Sequence, residues 1–202
     1  MKTRLQNTLW LAGIASGFYG IFCGAGASAQ EVQFFDGGYA EMCSSAAHNI
    51  GEVLDVEVTG TRLDKSPLEI CTLAIRSADS SSNRAGSYNN RGVLLFAQGS
   101  VAESLSDFDQ AISVDANLAQ AHVNRGYVLI GMQRWADSIA AFDRGIEFGS
   151  TELPKAYYNR AIAHEELGHV REAYQDYLKA SELDPLYEEP RQELTRFTVR
   201  RQ

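Results

Sequence analysis

His164-Glu165-Glu166-Leu167-Gly168-His169 is the stretch of this chain that comes nearest to a metal-dependent catalytic motif. Two histidines four apart on a helix, with a glutamate after the first, would hold zinc and activate a water, because residues i and i+4 share a face. Here the histidines are five apart with a glycine between them, so His169 falls past the helix end and no zinc site is expected. A Gly-rich phosphate loop and a G-x-S-x-G nucleophile elbow are both missing. Serines abound between Ser66 and Ser106, yet nothing sets a His and an Asp beside any of them. The chain is therefore expected to be no enzyme and to carry no cofactor and no metal.

Polar residues that recur are more informative. Asn90-Arg91, Asn124-Arg125 and Asn159-Arg160 stand 34 and then 35 residues apart. An arginine inside a helical hairpin needs a carboxylate partner, and Asp107, Asp109, Asp143 and Asp176 are candidates. The alternative is a ladder of cations for an acidic ligand.

The segments around these pairs repeat as well. Ser87 to Gly92, Ala121 to Gly126 and Ala156 to Ala161 line up, and each leads into an apolar helix, a turn and a second amphipathic helix. The second helices carry Ser104, Phe108 and Ala111, then Ser138, Phe142 and Gly145, then Ala173, Tyr177 and Ala180 at matching offsets. Gly92, Gly126 and Ala161 are small where two helices of a hairpin approach, and Phe108, Phe142 and Tyr177 fill the space between successive hairpins. Gly99, Gln133 and Gly168 fall at the turn, where a left-handed residue closes the first helix. Asp184-Pro185 ends the last unit.

This pattern resembles the tetratricopeptide repeat: Tyr88, Gly92, Phe108 and Ala111 fit it in the first unit, and Tyr157, Ala161, Gly168, Ala173, Tyr177, Ala180 and Pro185 in the third. Arg91, Arg125 and Arg160 stand where the family has Leu, Ala116 and Ser150 where it has Pro, and Gly145 where it has Ala. Exported bacterial repeats of the Asn-Arg-Gly type are similar. The resemblance implies an all-α solenoid over residues 85–187, with units at 85–118, 119–153 and 154–187. It further implies that the first helix of each unit lines a concave groove that takes a protein or peptide partner. On that basis Asn90, Asn124 and Asn159 form a ladder of amides facing an extended segment. Asn89, Val93, Tyr127, Tyr158 and Ile162 lie around them, and Lys155 with Glu165 and Glu166 gives the floor mixed charge. The asparagines also admit a structural reading, as helix-surface polarity.

Residues 30–84 read as a divergent helical cap. Tyr39–Asn49 and Leu68–Ala78 are expected as helices, the second opened by Ser66 as cap and Pro67 in its first position. Leu54 to Val58 alternates apolar and acidic residues and reads as a short extended segment, and Asp79 to Gly86 as a Ser-rich linker. Residues 188–202 supply a capping helix over Pro190–Arg200, with Leu194 and Phe197 on one side.

The start of the chain reads as an export signal. Lys2 and Arg4 precede an uncharged run from Leu9 to Cys23, which closes on Ala27-Ser28-Ala29. Cleavage after Ala29 is expected, and delivers the protein to the periplasm or outside the cell. An uncleaved anchor is the alternative, but the apolar run falls short of the about 20 residues a spanning helix needs. Phe22 before Cys23 argues against a lipid anchor. Loss of residues 1–29 takes away two cations, and the net charge moves from −8 to −10. So acidic a chain is a poor ligand for phosphate backbones, and no nucleic-acid partner or membrane insertion of the mature chain is expected. Cys43 and Cys71 remain, and an even count in an oxidising compartment reads as one disulfide. The competing reading, a zinc site, has only His48 nearby to complete it. The function these features suggest is an exported interaction scaffold. The alternative is an envelope enzyme, or its accessory subunit, with the repeats as a platform.

Overall fold

The computed structural model describes residues 38–48, 57–58, 61–62 and 65–197; the export signal, its cleavage point and residues 54–56 lie outside them. In chain order the elements are α1 (Gly38–His48), β1 (Glu57–Val58), β2 (Thr61–Arg62), α2 (Pro67–Ser77), α3 (Ser81–Ala97), α4 (Val101–Val114), α5 (Ala119–Gly131), α6 (Trp135–Glu147), α7 (Leu153–Glu166), α8 (Val170–Leu183) and α9 (Glu188–Leu194). Helices pair as the hairpins α3/α4, α5/α6 and α7/α8, stacked in sequence, with α1 and α2 packed on α3 and α9 on α8. This is the expected all-α helix-turn-helix solenoid with a divergent helical cap. The two strands form an antiparallel ladder in which Val58 opposes Thr61.

Side-chain caps fix the starts of α2 and α3. Ser66 Oγ accepts from the Glu69 N–H at 3.3 Å, and Glu69 Oε2 accepts from the Ser66 N–H at 2.8 Å. This reciprocal cap, with Pro67 behind it, starts α2 and is worth about 1 kcal/mol. Ser80 does the same for α3 by accepting from Asn83 N–H at 3.1 Å. Residues 79–86 are thus not a linker: from Ser81 onward they are the opening turns of α3. Serine content misled there, because a serine that caps a helix and serines that separate two helices look alike in composition. The final helix also differs from expectation. It runs over Glu188–Leu194, with Pro190 in the first turn where its missing N–H costs nothing. Phe197 follows the helix end, and with Leu194 it still packs on Ala161, Ala173 and Tyr177.

Side-chain size sets how closely the hairpins close. A Cβ on Gly92 would stand 2.8 Å from Phe108 Cε1, and one on Gly126 would stand 2.9 Å from Phe142. Each aromatic ring therefore lies flush on its own hairpin and joins a core that reaches the next one, at Val128 and Ala156. All three hairpin turns carry a left-handed residue: Gly99 at φ +81, Gln133 at +58 and Gly168 at +75. In the middle turn Arg134 N–H donates to the Leu129 carbonyl and Gln133 N–H to that of Ile130, which ties off the last carbonyls of α5. Cys43 and Cys71 form a disulfide between α1 and α2, with their Cα atoms 4.7 Å apart and both residues fully buried.

Candidate functional site

The first helices of the three hairpins, α3, α5 and α7, pack side by side, with α1 flanking α3. Their shared side is where the sequence places the partner-binding residues. Asn124 Nδ2 donates to Asn89 Oδ1 at 3.0 Å, and Asn89 Nδ2 donates to Asn90 Oδ1 at 3.1 Å. All three are buried, so the first two rungs of the expected ladder form a closed amide chain between α3 and α5. Asn159 is half-buried and donates to the Lys155 carbonyl one turn back in α7. Val93 is fully enclosed in the first core and leaves the set of residues able to touch a partner. Lys155 pairs with Glu152 at 3.1 Å. Tyr127, Tyr158 and Ile162 are half-buried.

The tyrosines give this side its character. Tyr127 stands edge-on to Phe142, with ring centres 5.5 Å apart. Tyr158 meets Tyr177 at 5.6 Å and Tyr187 at 5.3 Å. Among the described residues, the Tyr127 hydroxyl is the one buried side-chain polar atom without a hydrogen-bond partner. Burial, with Glu152 nearby, drives that hydroxyl far up from its ordinary pKa. Burial and the carboxylates of Glu193, Glu189 and Glu165 push Tyr158 up to about 12. Tyr177 donates to Glu165 at 3.1 Å, and Arg196 pairs with both Glu165 and Glu193. Tyr187 and Arg196 were not legible as site residues, because only the docking of α9 brings them here.

The arginines are structural staples. Arg91 donates to both Asp107 oxygens at 2.7 and 2.8 Å, and to Thr72 of α2 at 3.1 Å. Arg160 grips Asp176 through two bonds of 2.7 Å and reaches back to Asp143 of α6 at 2.5 Å. Arg125 has Ala141 sixteen residues on, where its counterparts have Asp, so it turns back to Asp109 alone at 2.7 Å. All four carboxylates named from the sequence are engaged, and Thr72 stands in for a carboxylate on the divergent cap.

His169 lies past the end of α7, at the residue before α8, and it folds back so that its Nδ1 stands 3.3 Å from that of His164. Among the described residues, no three His, Cys, Asp or Glu side chains gather as a metal cluster, and no helix is long and apolar enough to cross a membrane.

Residues 85–118 and 154–187 each match the tetratricopeptide repeat family. No curated protein matches the chain. Among solved structures, the first tetratricopeptide-repeat domain of Spaghetti (RPAP3), bound to the HSP90 peptide SRMEEVD, is 23% identical with a TM-score of 0.55, covering 59% of this chain and 94% of its own. YrrB, described as having an unusual peptide-binding site, is 22% identical with a TM-score of 0.58, covering 63% of each chain. The Arabidopsis OM64 domain is 18% identical at 0.55, covering 58% and 96%. At these identities the likeness is one of fold. The chain therefore carries tetratricopeptide repeats, at residues 85–118 and 154–187, with the hairpin α5/α6 between them built in the same way.

Proposed function

We propose that this protein is an exported scaffold that holds a segment of a partner protein along the side formed by α3, α5 and α7. The observation that carries the reading is the Tyr127 hydroxyl, buried without a partner among the described residues on that side. A buried hydroxyl left unpaired costs about 1–3 kcal/mol, and a partner that turns the half-buried Tyr127 ring enough to meet the hydroxyl with a carbonyl or amide would remove that penalty. The repeat domain of RPAP3, of like fold, was solved with a peptide bound, which supports the same use of the fold here. The surface that remains for contact is Tyr127, Tyr158, Asn159, Ile162 and Lys155, with the amide chain of Asn89, Asn90 and Asn124 as the support beneath. Residues 1–29 direct the chain out of the cytoplasm and are removed.

A photo-crosslinking residue at Tyr158, compared with one at Gln110 on the exposed side of α4, tests the site in the producing cell. Adducts formed from position 158 and not from 110 are expected; the reverse pattern overturns the reading. Terminal sequencing of the protein from the periplasm or medium is expected to begin at Gln30, and an intact Met1 there overturns the export proposal.

A further inference from the structure

The second helix of the last hairpin differs from its counterparts at one position. Asp109 of α4 and Asp143 of α6 each receive the arginine of the hairpin that follows, Arg125 and Arg160. In α8 that place belongs to Leu178, which follows Asp143 at the spacing by which Arg160 follows Arg125. Where the next arginine would come, the chain has Thr195, exposed beyond the end of α9. The polar tie between hairpins therefore stops at α8, and an apolar side chain takes its place. α9 does not cover it: Leu178 stays 38% exposed, with Leu183 at 41% on the same helix and Leu186 at 88% just after it. Three of the six large apolar side chains exposed among the described residues thus fall between 178 and 186, too close together to be scattered singly.

α8 turns Ala173, Asp176, Tyr177 and Ala180 inward. Its other face carries Gln175, Leu178, Lys179, Glu182 and Leu183, all exposed and related by steps of three or four. This face is complementary to itself. Laid antiparallel on a second copy about a two-fold axis midway between Leu178 and Leu183, it sets Leu178 opposite Leu183 and Lys179 opposite Glu182. The symmetry makes each pairing occur twice. Within one chain Lys179 and Glu182 share only a solvated contact of 3.5 Å, with both side chains about half exposed, so each can still face a second partner. We infer that α8 is the contact face of a symmetric dimer of this chain. Leu178 and Leu183 form its apolar centre, and Lys179 and Glu182 set the register. The pairing uses none of α3, α5 and α7, so it does not depend on what their shared side holds. One helix from each copy lies at the small end of specific interfaces, so the dimer is expected to be weak and reversible.

Sedimentation equilibrium of the mature chain, loaded from about 1 to about 300 μM, is expected to show a monomer passing into a dimer. Leu183→Glu, with unchanged helix content by circular dichroism, is expected to remain monomeric throughout. Lys179→Glu and Glu182→Lys each set like charges opposite one another across the axis, and each is expected to weaken the dimer at least about five-fold. Mixed in equal amounts, these two variants bring opposite charges together at both places. The mixture is expected to dimerise more tightly than either variant alone. Both variants have lost the contact within the chain, so it cannot explain that recovery. A monomer at every concentration overturns the inference. So does a dimer that survives Leu183→Glu, or a mixture no tighter than its components.

Discussion

Asn124 donates its side-chain amide to Asn89 across the junction of α5 and α3, at 3.0 Å and out of reach of solvent. Removing Asn124 leaves the buried Asn89 oxygen unmatched, whereas removing both removes that need and costs in addition the bond from Asn89 to Asn90. Asn124→Ala is expected to destabilise by about 1–3 kcal/mol. Asn124→Leu combined with Asn89→Leu is expected to cost less than the sum of the two single changes, with a coupling of at least about 0.5 kcal/mol. Denaturant unfolding of the four proteins measures it. Strict additivity would mean that the amide pair contributes nothing specific.

The arginine staples are expected to differ in weight. Arg160 and Asp176 are largely shielded, at 18% and 9% side-chain exposure, whereas Asp109 opposite Arg125 is 52% exposed. Arg160→Ala strands Asp176 and is expected to cost about 2–4 kcal/mol. Arg125→Ala breaks an open pair and is expected to cost about 0–1 kcal/mol. Similar losses in Tm for the two would contradict this ranking.

The Cys43–Cys71 bridge closes a loop of 28 residues. On the chain-entropy account, reduction is expected to remove about 3–4 kcal/mol. A thiol probe is expected to label the native protein only after reductant. Immediate labelling of both cysteines would show that the bridge does not form.

Acid is expected to weaken the fold before its carboxylates titrate. Burial holds His122 below the ordinary imidazole range; Arg144 and Arg125 reinforce this, and the Ala116 carbonyl, which accepts from its Nε2 at 2.9 Å, opposes it. Burial lowers His164 as well. An unfolded histidine binds its proton near pH about 6.5, so below that value the unfolded chain takes up protons the folded one refuses. Stability is therefore fully present above pH about 6.5 and declines as pH falls from there through the lowered folded-state pKa. Thermal melts across that interval should show the decline, and His122→Gln should flatten it. A flat profile in the parent protein would refute the effect.

Gln133 occupies the left-handed turn position that Gly99 and Gly168 fill in the other hairpins. A side chain there is strained, so Gln133→Gly is expected to stabilise by about 0.5–1 kcal/mol after the entropy glycine adds to the unfolded chain. A lower Tm in that variant would count against the strain.

How far the sequence revealed all this depends on whether the deciding contact repeats. Gly92 over Phe108 and Gly126 over Phe142 recur at a fixed spacing, so the hairpins and their stacking could be read directly. The arginine partners could be read for the same reason, since a buried guanidinium restricts its neighbours to carboxylates. The asparagines defied that logic. Asn90, Asn124 and Asn159 repeat in sequence, yet the bond that matters joins Asn124 to Asn89, one position out of phase. Nor could periodicity reveal Tyr187 as a neighbour of Tyr158, because their meeting depends on how α9 folds back after Pro185. Gly145, an apparent departure from the pattern, has a local cause: a Cβ there would stand 2.5 Å from Val123 Cγ2.

The missing carboxylate at Ala141 leaves the solenoid with a mechanical asymmetry. In α3/α4 Arg91 clamps Asp107 through two bonds, and in α7/α8 Arg160 clamps Asp176 in the same way. Between hairpins the ties are alike, one open bond from Arg125 to Asp109 of α4 and one from Arg160 to Asp143 of α6. The middle hairpin, α5/α6, is the one that lacks the two-bond clamp. It is therefore the expected soft element of the stack, able to splay a little without breaking a buried bond. Spin labels spanning α5 and α6 should report a broader distance distribution than labels spanning α7 and α8. Such a hinge at mid-length would let a stiff coil yield to segments of different girth while its end hairpins keep their shape.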